Sequence, residues 1–408
     1  MSLIVRQLKS LAAKLAGLDC LRWLLIAEFV SLFISTSLTS VLEIILFATV
    51  LFCLGKLRER ILPALQQPVV TMTLALIVVL CLGMFYGPVP FQEKIRILMG
   101  WRKLLLLLLA ILVFDEPFWK QRLTCILVGT AVIGALFSWF GLLGYTPTIV
   151  VHNHATQGMF FAVGAFAAMV LILYPPRPAR ITPGVRWGLG TSAALLVMNI
   201  VFVTPGRSGY LALLVLAGVA CLGLFRGWLR VGLLVAVPLA LVLLFSLSPV
   251  AKERLTRGVN EMRGYEQAQD YSSMGIRMVM WNNTVQLIRE RPFFGYGLGG
   301  LKEAYREKVR GMSGWEGIVI DDPHNQYLKV TAELGLVGLL VFLGFIGSFF
   351  WQGVSGADRL LGLGVLLAWC ATSLFNGHFS TAGEGRFLML WCGVQFALPR
   401  SAKPDSQA

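Results

Sequence analysis

Polar residues that precede a long apolar run near the end of the chain could support acid–base chemistry. His324 lies in Asp321-Asp322-Pro323-His324-Asn325, directly before that run. An imidazole titrates near neutral pH and can remove a proton from a hydroxyl group. Asp322 or Asn325 could orient the ring. The alternative interpretation is a polar residue at the start of a membrane helix.

Two arginines could bind an anion beside a membrane. Arg207 lies in a short break, Thr204–Gly209, between two apolar runs. An unpaired charge in hydrocarbon costs about 3 kcal/mol, whereas a guanidinium can donate two hydrogen bonds to phosphate oxygens. Arg277 begins an amphipathic segment and could bind in the same way. The alternative for both is an arginine that binds no anion and extends into water or to the membrane surface. This alternative is favoured more strongly for Arg291.

Two histidines of the chain stand as an alternating pair, His152 and His154. This spacing puts both imidazoles on one side of an extended strand, as a metal pair would require, but a zinc site needs a third ligand that the sequence does not supply. Contact with a polar substrate is the favoured interpretation. Asp321 and Asp322 could hold a divalent ion. We expect metal-free chemistry and no cofactor, with His378 and Arg386 as supporting residues.

The elements that position these residues are membrane helices. The chain of 408 residues is 57% hydrophobic and 14% charged, whereas a soluble domain carries about 25% charged residues. A span needs about 20 apolar residues. This criterion predicts an all-α polytopic membrane protein with about twelve transmembrane helices, at 20–38, 41–57, 69–87, 96–114, 121–144, 157–175, 187–204, 208–225, 230–248, 327–351, 357–376 and 384–399.

The basic residues predict the orientation of these helices. With the N-terminus in the cytoplasm, the even-numbered connections and the tail hold most lysines and arginines outside the long polar segment, as the positive-inside rule requires. The net charge of +14 therefore indicates contact with anionic lipid rather than with nucleic acid. All four histidines then lie on outer connections, and both termini are cytoplasmic.

One outer connection is large enough to fold. Residues 1–248 form helices 1–9, residues 249–326 form a loop outside the cytoplasm, and residues 327–408 form helices 10–12 and the tail. Within the loop, Met278, Trp281, Val285 and Ile288 follow helical spacing over 275–290. The aromatic content of the loop argues against disorder. We expect a helical cap that places His324 at the membrane surface.

Three stretches resemble the bacterial O-antigen ligase family, which shares a fold with O-antigen polymerases and protein O-oligosaccharyltransferases. The order and spacing of the three stretches carry the resemblance more than any one of them. They are Gly206-Arg207-Ser208-Gly209-Tyr210, then Arg277-x-x-x-Trp281 through Arg291-Pro292-Phe293-Phe294-Gly295-Tyr296-Gly297-Leu298-Gly299, then Pro323-His324-Asn325-x-Tyr327-Leu328 with Glu333-Leu334-Gly335-x-x-Gly338.

The resemblance implies a metal-independent, inverting glycosyltransferase of the bacterial inner membrane. It implies transfer of O-antigen polysaccharide from undecaprenyl pyrophosphate to a sugar of lipid A–core on the periplasmic face. It implies His324 as the base and Arg207 and Arg277 as pyrophosphate ligands. A polymerase or a protein O-oligosaccharyltransferase would use the same donor and remains open. A transporter is disfavoured, because few charged residues lie within the spans.

Overall fold

A computed structural model describes residues 17–175, 181–204, 206–253, 256 and 273–399. Its regular secondary structure is helical throughout the described residues, so the all-α prediction is confirmed. The α-helices there are α1 (Leu18–Ser31), α2 (Thr36–Leu65), α3 (Pro68–Tyr86), α4 (Phe91–Gly100), α5 (Lys103–Val113), α6 (Pro117–Leu142), α7 (His154–Leu173), α8 (Pro183–Phe202), α9 (Arg207–Leu224), α10 (Gly227–Leu247), α11 (Ser273–Glu290), α12 (Gly300–Lys308), α13 (Gln326–Trp351), α14 (Gly356–Thr372) and α15 (Ala382–Gln395).

Eight helices of the described chain are long and apolar enough to cross a membrane, namely α2, α3, α6, α7, α8, α9, α10 and α13. The other four predicted spans correspond to shorter helices. Helices α1 and α15 have 14 residues each and α14 has 17. The protein is therefore a multi-pass membrane protein, and the count of twelve spans stays a prediction.

The predicted span 96–114 is divided into two helices. The charged residues Glu93, Lys94 and Arg96 lie on the short helix α4, and the chain turns at Trp101 before α5 begins. Helix α5 has 11 residues and is therefore about 16 Å long, shorter than the hydrocarbon layer. Three of the charged residues near this predicted span thus belong to a separate helix, whereas Lys103 begins α5.

Helix α7 lies at the centre of the bundle. Most of its residues are buried, and Phe160 packs between Phe33 and Phe387 with ring centroids 4.7 and 4.6 Å apart. Its backbone also touches that of α9, because a Cβ on Gly158 would lie 2.9 Å from Gly209 Cα. The tight packing of these two helices fixes where Arg207, the first residue of α9, stands relative to the core.

Buried ion pairs lie near both ends of the bundle. Arg22 bonds to Asp115, as does Arg60, so some basic residues that indicate orientation also hold helices together. At the other end, Arg102 and Arg386 both bond to Glu43, which is 2% exposed. Arg386, expected beside the site as a supporting residue, instead belongs to this buried cluster.

Helix α13 is interrupted at Gly335, which has a φ of +68°. Glycine adopts this left-handed conformation without strain. The segment that follows α11 fills the interruption. Tyr296 N donates to Ala332 O at 2.9 Å, and Leu336 N donates to Pro292 O at 2.8 Å. The glycine-rich passage of the second motif is therefore bonded, main chain to main chain, to a membrane helix.

Candidate active site

His324 is held in a left-handed backbone conformation with φ +54°. Two contacts fix it there. Its N–H donates to Asp322 Oδ1 at 2.8 Å, and the preceding carbonyl, of Pro323, accepts from Trp281 Nε1 at 2.9 Å. This conformation is uncommon for a residue with a Cβ, although histidine tolerates it better than most. Strained backbone of this kind clusters at functional sites.

The pKa of His324 lies below its ordinary value of 6.5. Loss of hydration disfavours the charged ring, and the cations of Arg277 and Lys329 add to this, while Asp322 and Asp321 oppose it. A lowered pKa keeps the imidazole neutral at pH 7. A neutral, solvent-exposed imidazole is able to accept a proton from a hydroxyl group.

The two predicted orienting residues act on the backbone rather than on the ring. Asn325 is the N-cap of α13, since its Oδ1 accepts from the N–H groups of Tyr327 and Leu328 at 3.0 and 3.1 Å. Asp322 accepts from His324 N and pairs with Lys329 Nζ at 3.1 Å. Both residues therefore set the position of His324 through the turn that carries it.

Arg207 is the first residue of α9, where backbone N–H groups of the first turn favour an anion. Pro205 of its motif lies outside the described residues. The preceding Thr204 is bound to the fully buried Gln157, whose Nε2 donates to Thr204 Oγ1 at 2.8 Å. The other amide atom of this side chain, Gln157 Oε1, accepts from the N–H groups of Val150 and Val151. One side chain of α7 thus fixes two of the predicted outer connections.

Arg277 lies in the first turns of α11 and is half-buried. Its Nη2 donates to Asn376 Oδ1 at 3.5 Å, and Asn376 Nδ2 donates to Ser208 Oγ at 3.2 Å. Ser208 follows Arg207 in the chain. The structure therefore brings the elements that carry Arg207, Arg277 and His324 to one end of the bundle.

Arg291 is placed elsewhere. Its guanidinium lies over the ring of Tyr296, 4.8 Å from the centroid. It follows the last residue of α11, fourteen residues from Arg277, which is roughly 21 Å along the helix axis. Its observed contact is a cation–π pair that supports the turn after α11.

His152 and His154 border the same end of the bundle. His152 is exposed, with φ +46°, and its Nε2 would lie 3.3 Å from a Cβ on Gly383. His154 begins α7, and its carbonyl packs against Gly206. In the described part of the chain, no three His, Cys, Asp or Glu side chains are grouped as metal ligands would be.

The structure places two further residues, Asn376 and His378, in the connection between α14 and α15 beside the candidate site. The sequence did not mark Asn376, and it predicted only a supporting role for His378. Asn376 bridges the arginine-bearing elements, and no sequence signal marks it. His378 is 3% exposed, and neither ring nitrogen has a hydrogen-bond partner among the described residues. Burial lowers the pKa of His378, against the opposing charges of Glu384 and Asp322. Glu384 in turn accepts a hydrogen bond from Thr156 at the start of α7.

Comparison with known proteins assigns a family to part of the chain. Residues 191–343 match the family model described as O-antigen ligase. This segment contains Arg207, Arg277 and His324, together with all three motifs. This segment is therefore similar to the O-antigen ligase family, and the resemblance seen in its motifs is confirmed.

Two relatives show how far the similarity extends. A Haemophilus influenzae protein of uncharacterized function is 24% identical over 266 residues, which are 62% of this chain and 65% of the relative. A Rickettsia conorii protein provisionally named a polysaccharide ligase is 32% identical over 80 residues, 19% of either chain. The chain thus covers less than two thirds of each relative. The matched family and the name of the second relative both refer to polysaccharide ligases.

Proposed function

We propose that this protein is an O-antigen ligase. It transfers O-antigen polysaccharide from undecaprenyl pyrophosphate to a sugar hydroxyl of lipid A–core, with inversion and without a metal ion. The family match over residues 191–343 and the multi-pass helical fold support the proposal. The donor bond supplies the energy, because the site lies outside the cytoplasm, where no ATP is present.

One observation carries the proposal. The amide of Asn376 joins Arg277 to Ser208, the neighbour of Arg207, and the charge of Arg277 acts on the ionisation of His324. These contacts support the proposal that two arginine-bearing elements and a neutral imidazole form one site. Such a set suits a reaction in which a hydroxyl attacks and a pyrophosphate departs.

The arginines stabilise the leaving group. As the bond from the anomeric carbon to the pyrophosphate oxygen breaks, negative charge grows on that oxygen. Arg207, the first-turn N–H groups of α9, and Arg277 donate hydrogen bonds to it. A pyrophosphate anion leaves readily, so the reaction needs no general acid.

His324 activates the acceptor. Its neutral ring takes the proton of the acceptor hydroxyl while the oxygen attacks the anomeric carbon from the face opposite the pyrophosphate. The new glycosidic bond forms as the old bond breaks, undecaprenyl pyrophosphate leaves, and the imidazolium returns the proton to water. General-base assistance of this kind contributes about 10²–10⁴ in rate.

We place the site on the periplasmic face of the bacterial inner membrane, with both termini in the cytoplasm. Exposed residues at opposite ends of the bundle test this orientation. In a background without the seven native cysteines, R310C should react with a membrane-impermeant maleimide in spheroplasts. R58C should react only after permeabilisation. The reverse pattern would contradict the orientation.

A second use of the same donor is open. An O-antigen polymerase would pass the glycan to another lipid-linked glycan, and a protein O-oligosaccharyltransferase would pass it to a serine or threonine. A transport function is disfavoured by the buried pairing of Arg102 and Arg386 with Glu43, since these intramembrane charges are used within the bundle.

Reconstituted transfer tests the proposal. Purified protein in detergent is mixed with lipid-linked O-antigen and lipid A–core in the presence of EDTA, and glycosylated lipid A–core is measured. We expect wild-type transfer, and loss of at least 100-fold in H324A, R207A and R277A. R310A is the matched control, because Arg310 is an exposed arginine of the same outer segment paired only with Glu307 in its observed contacts.

The outcomes separate the alternatives. Elongation of lipid-linked glycan without modification of lipid A–core would make the protein a polymerase. Transfer to a serine-containing peptide would make it a protein glycosyltransferase. Near-complete activity of H324A would contradict the mechanism with any acceptor, and loss of activity in EDTA would contradict its independence of metal.

A further inference from the structure

The connection between α14 and α15, residues 373–381, contacts every element that carries a proposed reacting group. Asn376 accepts from Arg277 Nη2 at 3.5 Å and donates to Ser208 Oγ at 3.2 Å. Gly377 lies against the carboxylate of Asp322, because a Cβ there would be 2.6 Å from Oδ2. Asp322 is the residue that bonds to the N–H of His324.

Buried side chains of α13 and α5 hold this connection in place through hydrogen bonds. Gln326, fully buried at the start of α13, accepts from the N–H and the hydroxyl of Ser380 at 3.0 and 2.9 Å. The ammonium of Lys103, 1% exposed, donates to the carbonyls of Ser380 and Thr381 at 2.7 and 2.8 Å. Asn376 is thus presented from a rigid base rather than from a free loop.

The chemistry of an asparagine side chain suits the bridge. Its carbonyl oxygen accepts from the guanidinium of Arg277, and its amide donates to the hydroxyl of Ser208. A serine hydroxyl can donate as well as accept, so an aspartate could keep both contacts by accepting from each partner, whereas an aliphatic side chain could make neither. The bridge therefore requires a polar side chain at this position.

We propose that Asn376 is a positioning residue that sets the distance between the two pyrophosphate-binding arginines. It holds α11, which carries Arg277, against the first turn of α9, which carries Arg207. Both guanidinium groups can then bind one diphosphate. The two arginines need not move as negative charge develops on the leaving oxygen. This inference rests on the proposed function and goes beyond it, because Asn376 lies outside the matched family segment 191–343.

The test compares variants in the reconstituted transfer assay. We expect N376A to lower kcat by about tenfold, the scale of a lost hydrogen bond to a charged group, and to leave the KM for lipid A–core unchanged. S208A removes one arm only and should lower kcat less, by roughly threefold. N282A, an exposed asparagine of α11, should match the wild type.

A double-mutant cycle distinguishes positioning from a general structural role. In an R277Q background, adding N376A should lower kcat by less than twofold, because the arginine through which Asn376 acts is already absent. A structural role would instead multiply the two losses. N376L, which keeps the approximate size of the side chain but can make neither hydrogen bond, repeats the test if N376A proves poorly folded, and it should lose activity to the same extent.

Two results would overturn the inference. They are N376A and N376L activities within twofold of the wild type, or fully multiplicative losses with R277Q. If the wild type is active, either result would refute the role of Asn376 without affecting the proposed function. Absence of wild-type transfer would instead refute the proposed function, and the role of Asn376 with it.

Discussion

The indole N–H of Trp281 donates a 2.9 Å hydrogen bond to the carbonyl of Pro323, the residue before His324. Trp281 lies one turn after Arg277 on α11. The helix that carries a proposed pyrophosphate ligand is therefore bonded to the turn that carries the proposed base. This bond, between residues 42 positions apart in the chain, therefore helps to set the position of the proposed base relative to Arg277.

Replacement of Trp281 by phenylalanine tests that dependence. W281F removes the donor but keeps an aromatic ring beside Phe375, whose centroid lies 6.0 Å from that of Trp281. We expect kcat to fall about tenfold with little change in thermal stability, since a small shift of a reacting group lowers rate more than it lowers stability. Steady-state kinetics and thermal unfolding in detergent measure the two effects. Equal kinetics of W281F and wild type would contradict the coupling.

The pH dependence of transfer should follow the ionisation of His324. Only the neutral ring is a base, so activity falls as pH decreases through its pKa, which lies below 6.5. D322N removes a carboxylate that raises the pKa, and should move the acid limb to lower pH. R277Q removes a cation that lowers the pKa, and should move the limb to higher pH.

These opposite shifts are measured from kcat over a range of pH on the residual activity of each variant. A purely structural effect would lower activity at all pH values without moving the limb. Shifts of D322N and R277Q in the same direction would show that a group other than His324 controls the acid limb.

The buried carboxylate of Glu43 should be important for stability. It accepts from Arg102 Nε and Nη2 at 2.7 and 2.8 Å and from Arg386 Nη2 at 2.8 Å. E43Q leaves two guanidinium groups without their counter-charge, a change that typically costs about 3–5 kcal/mol at a buried site. We expect a lower thermal midpoint and a poor yield of folded protein.

An exposed ion pair provides the comparison for Glu43. E307Q breaks the contact of Glu307 with Arg310, where both side chains are more than half exposed. Exposed pairs contribute about 0–1 kcal/mol, so E307Q should unfold at nearly the wild-type temperature. If E43Q and E307Q were equally stable, the buried cluster would not support the bundle.

Gly335 should not tolerate a side chain. Its φ of +68° disfavours other residues, and a Cβ would lie 2.1 Å from the carbonyl oxygen of Phe293. We expect G335A to destabilise the protein by about 2 kcal/mol or more. G55A is the control, because no atom lies within 4 Å of a Cβ there and alanine favours a helix. A thermal midpoint of G335A at or above that of G55A would be inconsistent with the interrupted helix.

Much of the fold follows from apolar run length, but its buried charges do not. The apolar run over 157–175 predicts a membrane helix, and the structure has one over His154–Leu173. Hydropathy cannot show that Glu43 pairs with Arg102, just before α5, and with Arg386 of α15. These ion pairs join residues that are far apart in the chain.

The candidate site is predictable to the extent that its residues lie in recognisable local patterns. His324 precedes an apolar run, and Arg207 interrupts two such runs, so both stand out in the sequence. Asn376 has no such pattern, since its importance arises only where three connections meet in space. The roles of Arg207, Arg277 and His324 stay predictions until the transfer assay is done.

The main-chain bonds between 292–298 and the interrupted helix α13 define a unit for protein engineering. Residues 273–338 include α11, α12, the turn with His324 and the half of α13 that these segments bond to. A chimera that exchanges only the outer loop would separate hydrogen-bonded partners. Exchange of 273–338 as one block should preserve these bonds, so a graft between related proteins should end within α13 rather than at the start of that helix.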